Sequence, residues 1–124
     1  MAFRHVLVVE DDADLRQSLV EILEEEGHGV LSAENGERAL ELLSWGEPPS
    51  LIVLDLMMPV MNGWEFLGVV RKDPRLRDVP VVVVTAARDA RVEGATYSIE
   101  KPLILDKLLG LLRVVESHSR GAQP

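Results

Sequence analysis

The sequence predicts an α/β fold built on one parallel sheet, and three observations predict it. Short apolar runs alternate with amphipathic helical patterns along the whole chain. The middle runs are continuously apolar, as strands buried on both faces are. Four of the runs end on residues able to do chemistry: Glu10-Asp11, Asp55, Thr85 and Lys101. In open parallel sheets the site lies beyond the carboxyl ends of the strands, so distant parts of the chain should converge on one pocket.

Val6 to Val9 is the first strand, closed by Glu10-Asp11-Asp12. Leu15, Leu19, Ile22 and Leu23 follow at helical spacing, with Asp12 or Asp14 as cap and Gly27 as stop. Val30 to Ala33 is the second strand. Asn35-Gly36 opens a helix striped by Ala39, Leu40 and Leu43, and Gly46-Glu47-Pro48-Pro49 breaks it. Leu51 to Leu54 is the third strand and runs straight into Asp55. A loop from Pro59 to Gly63 leads to a helix marked by Trp64, Phe66, Leu67 and Val70, which Asp73-Pro74 closes. Trp64 reads as core or loop packing rather than a ligand platform, and His5 as a surface or strand-edge residue. Val81 to Val84 is so uniformly β-branched that it belongs at the centre of the sheet. From Ala86 to Gly94 there is room for no more than about two helical turns. Tyr97 to Glu100 is a weaker fifth strand, ending at Lys101-Pro102. The last helix runs from about Leu103 to Glu116, with Leu105, Leu108, Leu109, Leu112 and Val115 inward; Ile104 and Leu111 widen the stripe as extra core or as a partner-facing patch. Residues 1–116 thus read as one domain and 117–124 as a polar tail or the start of a linker.

A chain of 124 residues suits one core. The net charge of -8 argues against nonspecific nucleic-acid binding and against an anionic membrane surface. Without cysteine there is no disulfide, thiolate metal site or thiol nucleophile. No secretory signal and no transmembrane stretch is evident, so a cytoplasmic location is expected.

Asp55 is costly to bury unless its charge is compensated. Gathered carboxylates must hold protons or bind a cation, and oxygen-only ligands suit a hard ion such as Mg²⁺. Asp55 then reads as a carboxylate that accepts a phosphoryl group, with Lys101 and Thr85 offering charge and a hydroxyl hydrogen bond to the phosphoryl oxygens. Taken singly, each of these residues is better read as a turn, a helix cap or nothing in particular. Their placement at successive strand ends is what favours chemistry.

Val8-Val9-Glu10-Asp11-Asp12, Leu54-Asp55-Leu56-Met57-Met58-Pro59-Val60-Met61-Asn62-Gly63, Val84-Thr85-Ala86 and Lys101-Pro102 together resemble the receiver domain of two-component response regulators, from about Arg4 to Glu116. The resemblance implies a flavodoxin-like, doubly wound five-stranded sheet in the order 2-1-3-4-5. It implies Mg²⁺ held by Asp11 directly, Glu10 mainly through water, Asp55 and the backbone carbonyl of Met57, with Asp12 left to the helix start. It makes Asp55 the phosphorylated residue, Thr85 the switch hydroxyl and Lys101 the phosphate-binding lysine. A histidine kinase or histidine phosphotransfer protein would be the donor, and phosphorylation would bias two conformations.

Two departures from the family pattern stand out. The Thr85–Lys101 segment is short by about one and a half helical turns, so the fourth helix is stunted or missing. The family's switch aromatic falls on Ser98, with Tyr97 one place off and therefore on the other face. The output surface is then expected elsewhere, with the last helix at Ile104 and Leu111 as a candidate. Met57 and Ala87, where the family tunes hydrolysis, cannot orient a water by hydrogen bonding, so a long-lived phosphoryl group is expected. A haloacid-dehalogenase-type phosphatase would need a second acid where Met57 stands. A nucleotide-binding flavodoxin-like domain would need a glycine-rich loop after the first strand. A receiver-like adaptor that binds partners without phosphorylation is the remaining alternative.

Overall fold

The structure, a computed structural model, describes residues 5–86, 92–101 and 105–121, with residues 105 and 116–121 described by their backbone only. The elements in chain order are β1 (Val6–Val9), α1 (Ala13–Glu25), β2 (Val30–Ala33), α2 (Gly36–Leu43), β3 (Leu51–Asp55), α3 (Gly63–Lys72), β4 (Val81–Thr85), β5 (Tyr97–Glu100) and α4 (Leu105–Gly121). The strands form one parallel sheet in the order β2-β1-β3-β4-β5. The flavodoxin-like order implied by the resemblance is therefore the order of the molecule.

Strand alternation sorts the core into two layers. Leu7, Val9, Ile52, Leu54, Val81 and Val83 face α2 and α3, where Ala39, Leu43, Phe66, Leu67 and Val70 meet them. Val6, Val8, Leu51, Val53, Val82, Val84 and Ile99 face α1 and α4, against Leu19, Leu23, Leu108, Leu112 and Val115. Both faces of β1, β3 and β4 are covered, which is why those segments read as unbroken apolar runs. Leu111 is half-buried against the α1/α4 layer and so serves as extra core; Ile104 lies outside the described residues.

The helices start where their caps are. The Asp12 carboxylate accepts from the Asp14 and Leu15 amides at 3.0 and 3.1 Å and opens α1. Asn35 caps α2, its side-chain oxygen accepting from the Arg38 amide at 2.8 Å. Asn62 and Glu65 form a capping box at the head of α3. Gly27 ends α1 with φ 93°, a conformation that favours glycine. Three expectations need correcting. β3 and β4 each run one residue past the apolar runs Leu51–Leu54 and Val81–Val84, and end on Asp55 and Thr85. The last helix continues to Gly121, past the expected end at Glu116. Trp64 does not pack into the core: it lies in the first turn of α3 and is 44% exposed.

No helix is assigned among the described residues between β4 and β5, as the short spacing predicted. The described part of that connection is held by other means. Val92 is buried in the same layer as Phe66, Leu67 and Val83. Thr96 donates its amide to the Val81 carbonyl at 2.8 Å and accepts from the Val81 amide, through its hydroxyl, at 3.0 Å. The Arg71 guanidinium, at the end of α3, donates to the carbonyls of Gly94 (2.6 and 2.8 Å), Arg77 (2.8 Å) and Val79 (2.8 Å). β5 accordingly buries Ile99 and exposes Ser98 and Glu100, the polar alternate positions.

One close approach fixes α3 against the sheet end that carries Asp55. A Cβ on Gly63 would lie 2.6 Å from the Leu56 Cα and 2.7 Å from the Asp55 carbonyl oxygen, both backbone atoms. The Gly63 amide donates to the Leu56 carbonyl at 2.9 Å. Gly63→Ala is expected to cost about 1–3 kcal/mol, the usual penalty of overpacking, as a lowered urea midpoint; an unchanged midpoint would refute the contact.

Candidate functional site

The carboxyl ends of β1, β3, β4 and β5 bring the predicted residues to one end of the sheet. Glu10 follows Val8 by two positions, Asp55 follows Val53 by two and Lys101 follows Ile99 by two, so all three continue the face shared with α1 and α4. Thr85 continues the opposite face, after Val83. The ends of β4 and β5 are tied where the Lys101 amide donates to the Thr85 carbonyl at 2.7 Å.

Glu10, Asp55 and Thr85 are each 2% exposed, while Asp11 is exposed. One carboxylate oxygen from each of Glu10, Asp11 and Asp55 lies within 4.8 Å of the others, a spacing that could hold a metal ion. Lys101 Nζ lies 3.4 Å from Glu10 Oε1 and 3.6 Å from Asp55 Oδ1. One cation thus faces two buried carboxylates and a third nearby. The Asp55 carboxylate also accepts from the Met57 amide at 3.3 Å, which turns the chain tightly over the acid.

The electrostatics follow from burial without enough positive charge. Burial, then the hydrogen bond and negative charge of Asp55, push the Glu10 carboxyl up from 4.5 to about 7. Burial also raises Asp55, although the Glu10 hydrogen bond, the Lys101 charge and the Met57 amide pull the other way. Partial burial disfavours the Lys101 ammonium, but the carboxylates of Glu10 and Asp55 outweigh it and raise its pKa. A second cation is what this cluster calls for. The all-oxygen donor set fits a hard divalent ion that takes one or two carboxylates and keeps several waters, as Mg²⁺ does.

A pH dependence follows. A carboxyl raised on folding binds more protons folded than unfolded, so its stabilising contribution is present below its unfolded value and is lost as pH rises. For Glu10 that window runs from 4.5 to about 7. Relative to Glu10→Gln, the metal-free protein is expected to lose thermal stability across that window and to regain it on adding Mg²⁺. A Tm difference that stays flat across the window in the presence of a chelator would contradict the burial of this charge.

Arg16 carries a contact that sequence reasoning missed. Its Nη1 donates to the Glu10 carbonyl at 2.8 Å and reaches the Asp11 carbonyl at 3.5 Å. A lone arginine on an amphipathic helix gives no signal that it will turn back onto a loop. Val60 was also illegible: it adopts φ 69°, a strained conformation for a β-branched residue, inside the loop after Asp55. The Met61 amide closes that turn on the Pro59 carbonyl at 2.8 Å. Ala87, expected beside the pocket, lies outside the described residues.

The family model described as the response regulator receiver domain matches residues 6–113. The phosphate regulon transcriptional regulatory protein PhoB of Klebsiella pneumoniae is 35% identical over 119 residues, which are 90% of this chain and 51% of that protein. The chain therefore spans about half the length of that relative. A signal receiver domain of a signal transduction histidine kinase from Syntrophus aciditrophicus superposes with a TM-score of 0.86 at 30% identity, covering 96% of this chain and 94% of that one. The response regulator protein TrrA of Thermotoga maritima, solved in complex with Mg²⁺-BeF, has a TM-score of 0.79 at 32% identity, covering 90% and 98%. With the strand order, the acidic cluster and the lysine at the fifth strand end already in place, these matches show that the chain belongs to the response regulator receiver domain family of two-component signalling.

Proposed function

We propose that Asp55 accepts a phosphoryl group from a phosphohistidine donor, a histidine kinase or a histidine phosphotransfer protein. The observation that carries this is the position of Asp55: buried, inside a three-carboxylate cluster and 3.6 Å from the Lys101 ammonium. An Asp55 carboxylate oxygen attacks phosphorus. The P–N bond to the donor imidazole breaks, its nitrogen leaves with the electron pair, and an acyl phosphate forms on Asp55. Lys101 shifts its ion pair from the carboxylate to the phosphoryl oxygens, and the Thr85 hydroxyl donates to the same group. Glu10, Asp11, Asp55 and the Met57 carbonyl are the residues proposed to hold Mg²⁺, which when bound neutralises charge on the phosphoryl oxygens. The protein catalyses only its own phosphorylation and dephosphorylation, and acts as a cytoplasmic signalling domain rather than a turnover enzyme. Residues 1–116 form the acceptor unit in this reading, and 117–124 are a polar tail or the start of a linker.

Incubation with acetyl phosphate tests it. Intact mass is expected to rise by one phosphoryl group with Mg²⁺ and to stay unchanged with a chelator. No mass gain in Mg²⁺ would favour the phosphorylation-independent adaptor, which the shortened β4–β5 connection and the exposed Ser98 at the switch position keep in view. The Met57 side chain is exposed and has no group to hold an attacking water. The acyl phosphate is therefore expected to last minutes or longer after donor removal; a half-life of seconds by the same mass assay would contradict this.

A further inference from the structure

We propose that Arg16 is a positioning residue for the cation site, fastening the backbone that carries Glu10 and Asp11 so that the acidic cluster is assembled before a divalent ion arrives. This rests on reading Glu10, Asp11 and Asp55 as that site. Arg16 lies in the first turns of α1, whose start is fixed by the Asp12 cap. From there Nη1 donates to the carbonyl oxygen of Glu10 at 2.8 Å and reaches that of Asp11 at 3.5 Å. Both oxygens belong to the main chain, so the guanidinium holds the loop while leaving the carboxylates to the cation.

The loop needs holding. Three carboxylates with oxygens within 4.8 Å repel one another. Glu10 and Asp55 are confined by burial, and the Glu10 carboxylate is further held by the Asp12 amide at 3.2 Å. Asp11 is exposed and has no such wall around it. Without the tether its backbone can relax outward, and a cation must then gather its own ligands, which lowers apparent affinity by the fraction of time the site is formed. Groups that orient ligands from outside commonly change metal affinity by about 10- to 100-fold. Both contacts are made by the single Nη1 atom, and a lysine ammonium ends one bond short of that reach.

Calorimetric titration of the full chain with Mg²⁺ tests this in wild type, Arg16→Met, Arg16→Lys and Asp11→Asn. Arg16→Met is expected to weaken binding by about tenfold or more, and Arg16→Lys by less, recovering part of the loss. Thermal unfolding in a chelator runs alongside. Lower Tm with unchanged Mg²⁺ affinity would show that Arg16 only stabilises α1, and would overturn the proposal. If Arg16→Met does not fold, Arg16→Lys decides: affinity equal to wild type overturns the proposal. If wild type and Asp11→Asn bind Mg²⁺ alike, the cation-site reading itself fails. If Asp11→Asn loses binding and Arg16→Met keeps it, only the role of Arg16 fails.

Discussion

Asp55→Asn is expected to abolish phosphoryl uptake from acetyl phosphate and, in metal-free protein near neutral pH, to raise Tm. The two effects come from the same atoms. An amide has neither the charge nor the lone-pair basicity to form an acyl phosphate, so the nucleophile is gone. The same change removes one of two carboxylates that are 2% exposed and share a single lysine. Glu10 then keeps Lys101 to itself; burial still raises its carboxyl, but the added push from the Asp55 charge is relieved. Opposite signs for activity and stability distinguish a functional carboxylate from a structural one, since loss of a structural acid would lower both. Residual phosphorylation of the variant, found by intact mass, would move the acceptor to another residue.

Lys101→Met is expected to slow phosphoryl uptake by about 100- to 1,000-fold, the scale on which loss of one preorganised charge at a reacting oxygen is felt. It is also expected to destabilise the metal-free protein. Lys101 Nζ stands between Glu10 and Asp55 at 3.4 and 3.6 Å, and no other described ion pair serves either acid. Removing it leaves two buried carboxylates without a counter-charge, and both are then expected to bind protons more tightly. Because a divalent ion supplies charge to the same oxygens, added Mg²⁺ should recover much of the lost Tm but not the transfer rate. Recovery of both would mean that the lysine only balances charge; recovery of neither would mean that a divalent ion does not take over its charge at these oxygens.

The sheet was legible because strands buried on both faces leave no room for a polar residue until they end. Val6–Val9, Leu51–Leu54 and Val81–Val84 each run without interruption to a residue of the proposed site. Glu10 and Asp55 were legible for the same reason, as the first polar positions after apolar runs; Lys101 was legible from its place at the end of a weaker strand. The length deficit between Thr85 and Lys101 is matched by the described residues, among which no helix lies between β4 and β5. What holds that connection was not foretold, because the Arg71 guanidinium meets Gly94 across 23 positions of sequence and a hydrogen bond to a backbone carbonyl leaves no mark on the residue that accepts it. Arg16 escaped for the same reason. Trp64 was misread because a tryptophan within an apolar stripe looks like core, whereas its place in the first turn of α3 leaves it at the rim.

The most direct test is a crystal structure of the full chain with Mg²⁺ and beryllofluoride, a stable mimic of a phosphoryl group. The expected density is one tetrahedral group bonded to an Asp55 carboxylate oxygen, within hydrogen-bond distance of the Thr85 hydroxyl and the Lys101 ammonium, beside an ion ligated by Asp11, Asp55 and the Met57 carbonyl. Beryllofluoride bound elsewhere, or Asp11, Asp55 and Lys101 too far apart to share it, would contradict the convergence of strand ends from which the chemistry was derived.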